Sequence, residues 1–201
     1  TGSYLPADEL RRLREGLPDH VLMVIDAAYA EYVSRNDYVS GAELVEKHDN
    51  VVMTRTFSKA FGLAAVRLGW AYCPAEVADV LNRVRNPFNV TAPAQAAGIA
   101  AVGDLSHTDA AIAHNDEWLL KFTAELQNLG YEVAPSVGNF VLVCFVTPET
   151  ARSAYDYLLS QGVIGRMMGG YGLPESLRFT IGLESELKRV IDSLAVHRKS
   201  L

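Results

Sequence analysis

The chain has 201 residues, of which 49% are apolar and 21% charged, a balance that suits one large or two modest globular domains and excludes a disordered or fibrous polypeptide. Its net charge of −6 argues against nucleic acid or an anionic membrane as partner, since either selects a basic face. Two cysteines, Cys73 and Cys144, are too few for a disulfide framework and lack metal-ligand spacing, so no metal is expected and both are read as small core residues.

Residues 6–15 read as a short helix with Pro and acids in its first turn. Its arginines Arg11, Arg12 and Arg14 stand beside acidic neighbours and suit a solvated face. Residues 21–25 form a continuous apolar run ending in Asp26, the pattern of a parallel strand buried on both faces whose last residue faces a site. A helical stretch over 40–47, strands over 50–56 and 68–73, and a helix over 75–84 follow. No run of about 18 apolar residues exists, because Asp26 and Arg67 interrupt the two best candidates, and the first residues lack a signal-peptide pattern. A cytoplasmic setting is the expectation.

Beyond residue 105 the alternation changes. Ser106-His107-Thr108-Asp109 has the form of a capping box, and the helical pattern runs from it to Leu129 with Gly130 as its stop. Strands over 131–134 and 139–145, a helix from Thr147-Pro148 to Gly162, a strand over 177–181 and a helix over 184–197 complete the chain. The glycines Gly165, Gly169, Gly170 and Gly172 match no phosphate-binding fingerprint and read as a flexible turn. The five histidines show no ligand spacing and read as surface or cap residues. The expected class is α/β over 1–105, a mostly parallel sheet with helices, followed by a smaller α+β domain over 106–201.

Asp26, Tyr29, Lys59 and Arg67 fall at strand ends or just after them, where open α/β sheets bind ligands. Lys59, amid the apolar residues of 56–63, is placed to act as a nucleophilic amine. Arg67 and the Ser58 hydroxyl suit a phosphate, Asp26 a pyridinium nitrogen, and the Tyr29 phenol a ring oxygen. Pyridoxal phosphate needs such a set. Each has a plainer reading: a solvated lysine, an aspartate capping its turn, an ordinary ion pair, a core tyrosine. The constellation favours the chemistry.

The stretches Asp26-Ala27-Ala28-Tyr29-Ala30-Glu31-Tyr32, Arg55-Thr56-Phe57-Ser58-Lys59 and Leu63-Ala64-Ala65-Val66-Arg67-Leu68-Gly69-Trp70 resemble the fold-type-I aminotransferases, above all the histidinol-phosphate aminotransferase branch. The resemblance covers essentially the whole chain. It implies pyridoxal 5′-phosphate carried by Lys59, with Asp26 on the pyridine nitrogen, Tyr29 on the ring oxygen, and Ser58 and Arg67 on the phosphate. Ala27 and Ala65 depart from the usual Glu and Gly without removing a reacting group. The stretches 138–143 and 177–182 are also similar to the family. They imply Asn139 near the substrate and Arg178 on its anionic end, with Arg166 as a second arginine for a substrate phosphate.

The activity implied is amino transfer between glutamate/2-oxoglutarate and histidinol phosphate/imidazole-acetol phosphate in histidine biosynthesis, by a homodimer with small-molecule substrates. An aromatic-amino-acid aminotransferase, a phosphothreonine decarboxylase and a non-enzymatic ligand-sensing domain share much of the pattern. Thr1-Gly2 resembles the end of a family segment, so the chain is expected to be an N-terminally truncated fragment, inactive alone.

Overall fold

The computed structural model describes residues 1–199, which divide into two compact units, one over 4–112 and the other over 1–3 and 113–199. In the first, helix α1 (Ala7–Glu15) precedes strand β1 (Met23–Asp26), the short helix α2 (Ala42–Val45) and strand β2 (Val51–Thr56). Strand β3 (Gly69–Tyr72) completes a sheet of order β1-β2-β3. β1 and β2 run parallel with Asp26 opposite Thr54, while β3 returns antiparallel with Gly69 opposite Thr56. Leu10 of α1 and Leu44 and Val45 of α2 bury one face of this sheet with Met23, Val51 and Met53.

The apolar run of β1 predicts cover on both faces, yet Val24 is 58% exposed. β1 is an edge strand, and α1 and α2 supply apolar side chains only to its Met23–Ile25 face. The predicted helix at 40–47 shrinks to one turn behind Gly41, which sits at φ 91°. Arg14 is buried rather than solvated: its guanidinium reaches Asn50 Oδ1 at 2.7 Å and the Leu17 carbonyl at 3.3 Å.

After helix α3 (Ala75–Val84) comes helix α4 (Ala92–Gly103), which periodicity does not reveal because it is made almost wholly of small apolar residues. Thr91 caps it by accepting the Ala94 N–H. Helix α5 (Leu105–Asn128) begins before the predicted capping box. Asp104, not Ser106, is its cap: Oδ1 accepts the His107 N–H at 3.1 Å and the Ser106 hydroxyl at 2.9 Å. Those two bonds, the backbone one foremost, hold the Asp104 carboxyl below the ordinary carboxylate range.

The second unit is an antiparallel sheet of order β4-β5-β7-β6, from β4 (Glu132–Ala134), β5 (Phe140–Cys144), β6 (Arg166–Met168) and β7 (Leu173–Thr180). Helices α6 (Pro148–Ser160) and α7 (Glu184–Lys199) follow β5 and β7. Thr147 and Thr150 form a reciprocal capping box that starts α6. Phe122, Leu126, Val141, Val143, Leu158 and Leu177 lie among the fully or nearly fully buried side chains of the core. His197 of α7 belongs inside: it is 3% exposed and its Nε2 lies 3.0 Å from Ser153 Oγ of α6. Cys73 and Cys144 are both half-buried rather than deep in a core. Among the described residues no helix is long and apolar enough to cross a membrane.

The glycine-rich segment is not a loose turn. Gly165 leads into β6, where a side chain would meet the Phe179 ring, and Gly169–Tyr171 form one 3-10 turn between β6 and β7. Pairing with β6 also draws β7 out to Leu173, upstream of its predicted start.

Candidate active site

Five of the eight predicted side chains belong to the first unit. β1 delivers Asp26 to its carboxyl end, exposed, with Oδ1 accepting the Ala28 N–H at 3.1 Å. That bond turns the chain sharply, and Tyr29 follows at the entrance to a 3-10 turn, Ala30–Tyr32. β2 runs parallel beside β1 and delivers Ser58 and Lys59.

The lysine turn is pinned on both sides. Phe57 and Ala60 are buried, the Ser58 N–H is held by Thr56 Oγ1 at 3.0 Å, and the Gly62 N–H reaches the Lys59 carbonyl at 2.8 Å. Leu63 N–H closes onto the Phe57 carbonyl at 2.8 Å. With both flanks anchored, Lys59 stays half-exposed and its Nζ lies 5.1 Å from the centre of the Tyr29 ring. Arg67 returns to the same turn from beyond a 3-10 segment, Ala64–Val66. Its Nη1 donates to the Ala64 carbonyl at 2.7 Å and to Ser58 Oγ at 3.4 Å. Arg67 holds φ 55° and ψ 51°, a left-handed conformation that a non-glycine residue adopts only when its surroundings impose it.

A partly buried ion pair ties the two turns together. Arg55 Nη2 meets Glu31 Oε1 at 2.5 Å with side chains 20% and 11% exposed, and Arg55 also lies over the Trp70 ring. Burial raises the neighbouring Tyr38 phenol above its ordinary pKa, with Arg55 opposing and Glu31 reinforcing the shift. Both partners stand inside the stretches that carry the resemblance, yet nothing in a single sequence says that they meet.

The other three predicted residues belong to the second unit. Asn139 precedes β5, and its carbonyl accepts the Ile181 N–H at 2.8 Å. Buried Asn115 of α5 donates to the adjacent Gly138 carbonyl at 3.2 Å, a support that the sequence does not announce. Arg166 of β6 and Arg178 of β7 are direct partners in the ladder. Arg178 packs over Phe140, 4.8 Å from ring centre, and its buried Nε has no hydrogen-bond partner. Both arginines line a cavity of about 600 Å³ with Thr180 and Glu186.

The first group matches the donor set that pyridoxal phosphate requires: an amine in a fixed turn, a carboxylate at the neighbouring strand end, a phenol, and a guanidinium bonded to a hydroxyl. The second group places two arginines at one position of the ladder. Two like charges directly across a ladder repel, and a bound anion relieves that repulsion.

The family described as aminotransferase class I and II matches residues 1–194. The histidinol-phosphate aminotransferase of Rhodospirillum centenum is 57% identical over 195 residues, covering 96% of this chain and 54% of that protein. The enzyme of the same name from Paramagnetospirillum magneticum is 56% identical over 196 residues, with the same two coverages. Among solved structures, histidinol-phosphate aminotransferase from Sinorhizobium meliloti, in complex with pyridoxal-5′-phosphate, superposes with a TM-score of 0.93 at 29% identity. That match takes in all of this chain and 55% of the other. The chain therefore spans about half the length of the curated relatives it matches.

Proposed function

The chain belongs to the class I and II aminotransferases, and from that premise we propose that it carries the pyridoxal-phosphate site of an enzyme interconverting histidinol phosphate and imidazole-acetol phosphate with glutamate/2-oxoglutarate. The reading includes a homodimer as the working assembly and a cytoplasmic setting. The observation that carries it is the lysine turn, where Arg67 bonds the hydroxyl of Ser58 at 3.4 Å next to Lys59, itself over the Tyr29 ring. Identity of 57% across nearly the whole chain supports the choice of substrate.

When bound, pyridoxal phosphate supplies an electrophilic carbon and an electron-accepting ring. Ser58 and Arg67 hold its phosphate, and the planar fork of Arg67 suits that group. The Asp26 carboxylate accepts the proton-bearing ring nitrogen as a hydrogen-bond donor and keeps that proton in place. Tyr29 donates its phenol to the ring oxygen. The Lys59 amine would be the covalent anchor and, when free, would take the proton from the substrate's α-carbon as general base and deliver it as general acid to the cofactor's former aldehyde carbon. Arg178 holds the substrate's anionic end, Arg166 adds a second guanidinium suited to a phosphate, and Asn139 contacts the substrate beside them.

Borohydride reduction of the full-length protein followed by peptide mapping tests the anchor. The cofactor is expected on Lys59, and Lys59→Ala is expected to remove turnover because anchor and proton carrier go together. An adduct on another lysine overturns the assignment.

A further inference from the structure

We propose that Tyr171 is a positioning residue for the substrate's anionic group, holding the Arg166 guanidinium in place from the glycine-rich turn between β6 and β7. The inference rests on the reading above, in which Arg166 binds the substrate phosphate.

Arg166 lies on an edge strand and is exposed. A long side chain in water samples many rotamers, and ordering it on binding weakens the grip. Tyr171 removes much of that freedom by two contacts. Arg166 Nη2 donates to the Tyr171 hydroxyl at 3.1 Å, and the guanidinium carbon lies 5.2 Å from the ring centre. Arg178, the ladder partner of Arg166, is held in the same style by the face of Phe140. Each guanidinium of the pair thus has its own aromatic rest, and each keeps further N–H donors for an anion.

Nothing in the packing asks for a tyrosine here. Its side chain is 64% exposed, so it adds little to any core. The surrounding glycines serve the placement instead. Gly172 stands at φ 76°, a left-handed residue that reverses the chain and leaves Tyr171 beside the strand that has just ended. A side chain at Gly170 or Gly172 would meet no atom within 4 Å, so crowding does not account for either. The segment that matched no nucleotide fingerprint acquires a role: it carries an aromatic back to an arginine.

The test uses full-length enzyme as wild type, Tyr171→Phe, Arg166→Ala and the double variant. Single-turnover rates are measured with histidinol phosphate and, separately, with glutamate. Tyr171→Phe keeps the ring and loses only the hydroxyl, so it should weaken the apparent binding of histidinol phosphate about 5-fold, the factor carried by one hydrogen bond of ordinary strength. The maximal rate, the glutamate half-reaction and the melting temperature should stay unchanged. In the Arg166→Ala background the same substitution should have no further effect, because Tyr171 acts only through Arg166. If Arg166→Ala selectively damages the phosphorylated substrate while Tyr171→Phe is silent, or costs the same in both backgrounds, Tyr171 is not a positioning residue and the phosphate role of Arg166 stands. Equal losses with both substrates on removing Arg166 overturn that role and this inference with it.

Discussion

Arg67 occupies a conformation that costs about 1–3 kcal/mol for a residue with a side chain, and its exposed guanidinium recovers little of that by packing. The chain keeps it there because the left-handed turn swings the guanidinium onto Ser58. Asparagine tolerates the same backbone but brings no charge. Arg67→Asn should therefore leave the melting temperature unchanged or higher while weakening pyridoxal phosphate binding on the order of 10- to 100-fold, the loss expected for a charge-assisted hydrogen bond. Equilibrium titration of the apo protein with cofactor reads the effect, and an unaltered dissociation constant would remove Arg67 from the phosphate site. Lys59, Ser58 and Arg67 were legible in the sequence because they share one short stretch beside a strand end. The Glu31–Arg55 pair and the contact between Arg166 and Tyr171 were not, since each depends on a turn whose geometry no residue pattern states.

At the scale of elements, legibility followed the strength of local pattern. The apolar runs of β2 and β5 and the amphipathic helix α3 were plain, whereas α4 has apolar or small residues on every side and gives periodicity nothing to count. β6 was hidden for a different reason: three residues between glycines become a strand only because β7 pairs with them. The packing of α6 on α7 turns on His197, which a pattern of scattered histidines assigned to the surface. Burial lowers its pKa below the ordinary 6.5, so in the folded protein it resists protonation. The unfolded chain then binds the proton first. The contribution of neutral His197 to stability is complete above pH 6.5 and is lost as pH falls from there toward the lower folded-state value. Urea unfolding at a series of pH values should show a decline across that interval in the wild type and a flatter one in His197→Gln, which cannot titrate. Parallel curves for the two proteins would mean that His197 titrates alike in both states.

For the molecule as a whole, charge is distributed against its own average. The net charge is −6, yet Arg166 and Arg178 are paired directly across β6 and β7, and among the described residues neither forms a salt bridge. This local excess of positive charge does not distinguish a substrate from the medium in which it is studied. Inorganic phosphate and sulfate offer the same tetrahedral array of oxygens as a phosphate ester, and they are common buffer components. Histidinol phosphate should thus bind the full-length enzyme more weakly in phosphate or sulfate than in chloride of equal ionic strength, with the maximal rate preserved. Screening alone affects all three salts alike, because it depends only on ionic strength. Initial-rate measurements across the three salts separate the two effects, and identical curves would show that the paired arginines do not compete for free anions. If they differ, a substrate ranking obtained in phosphate buffer would understate the phosphorylated substrate relative to carboxylates that lean on Arg178 alone, and the choice of buffer would decide which amino donor the enzyme was said to prefer.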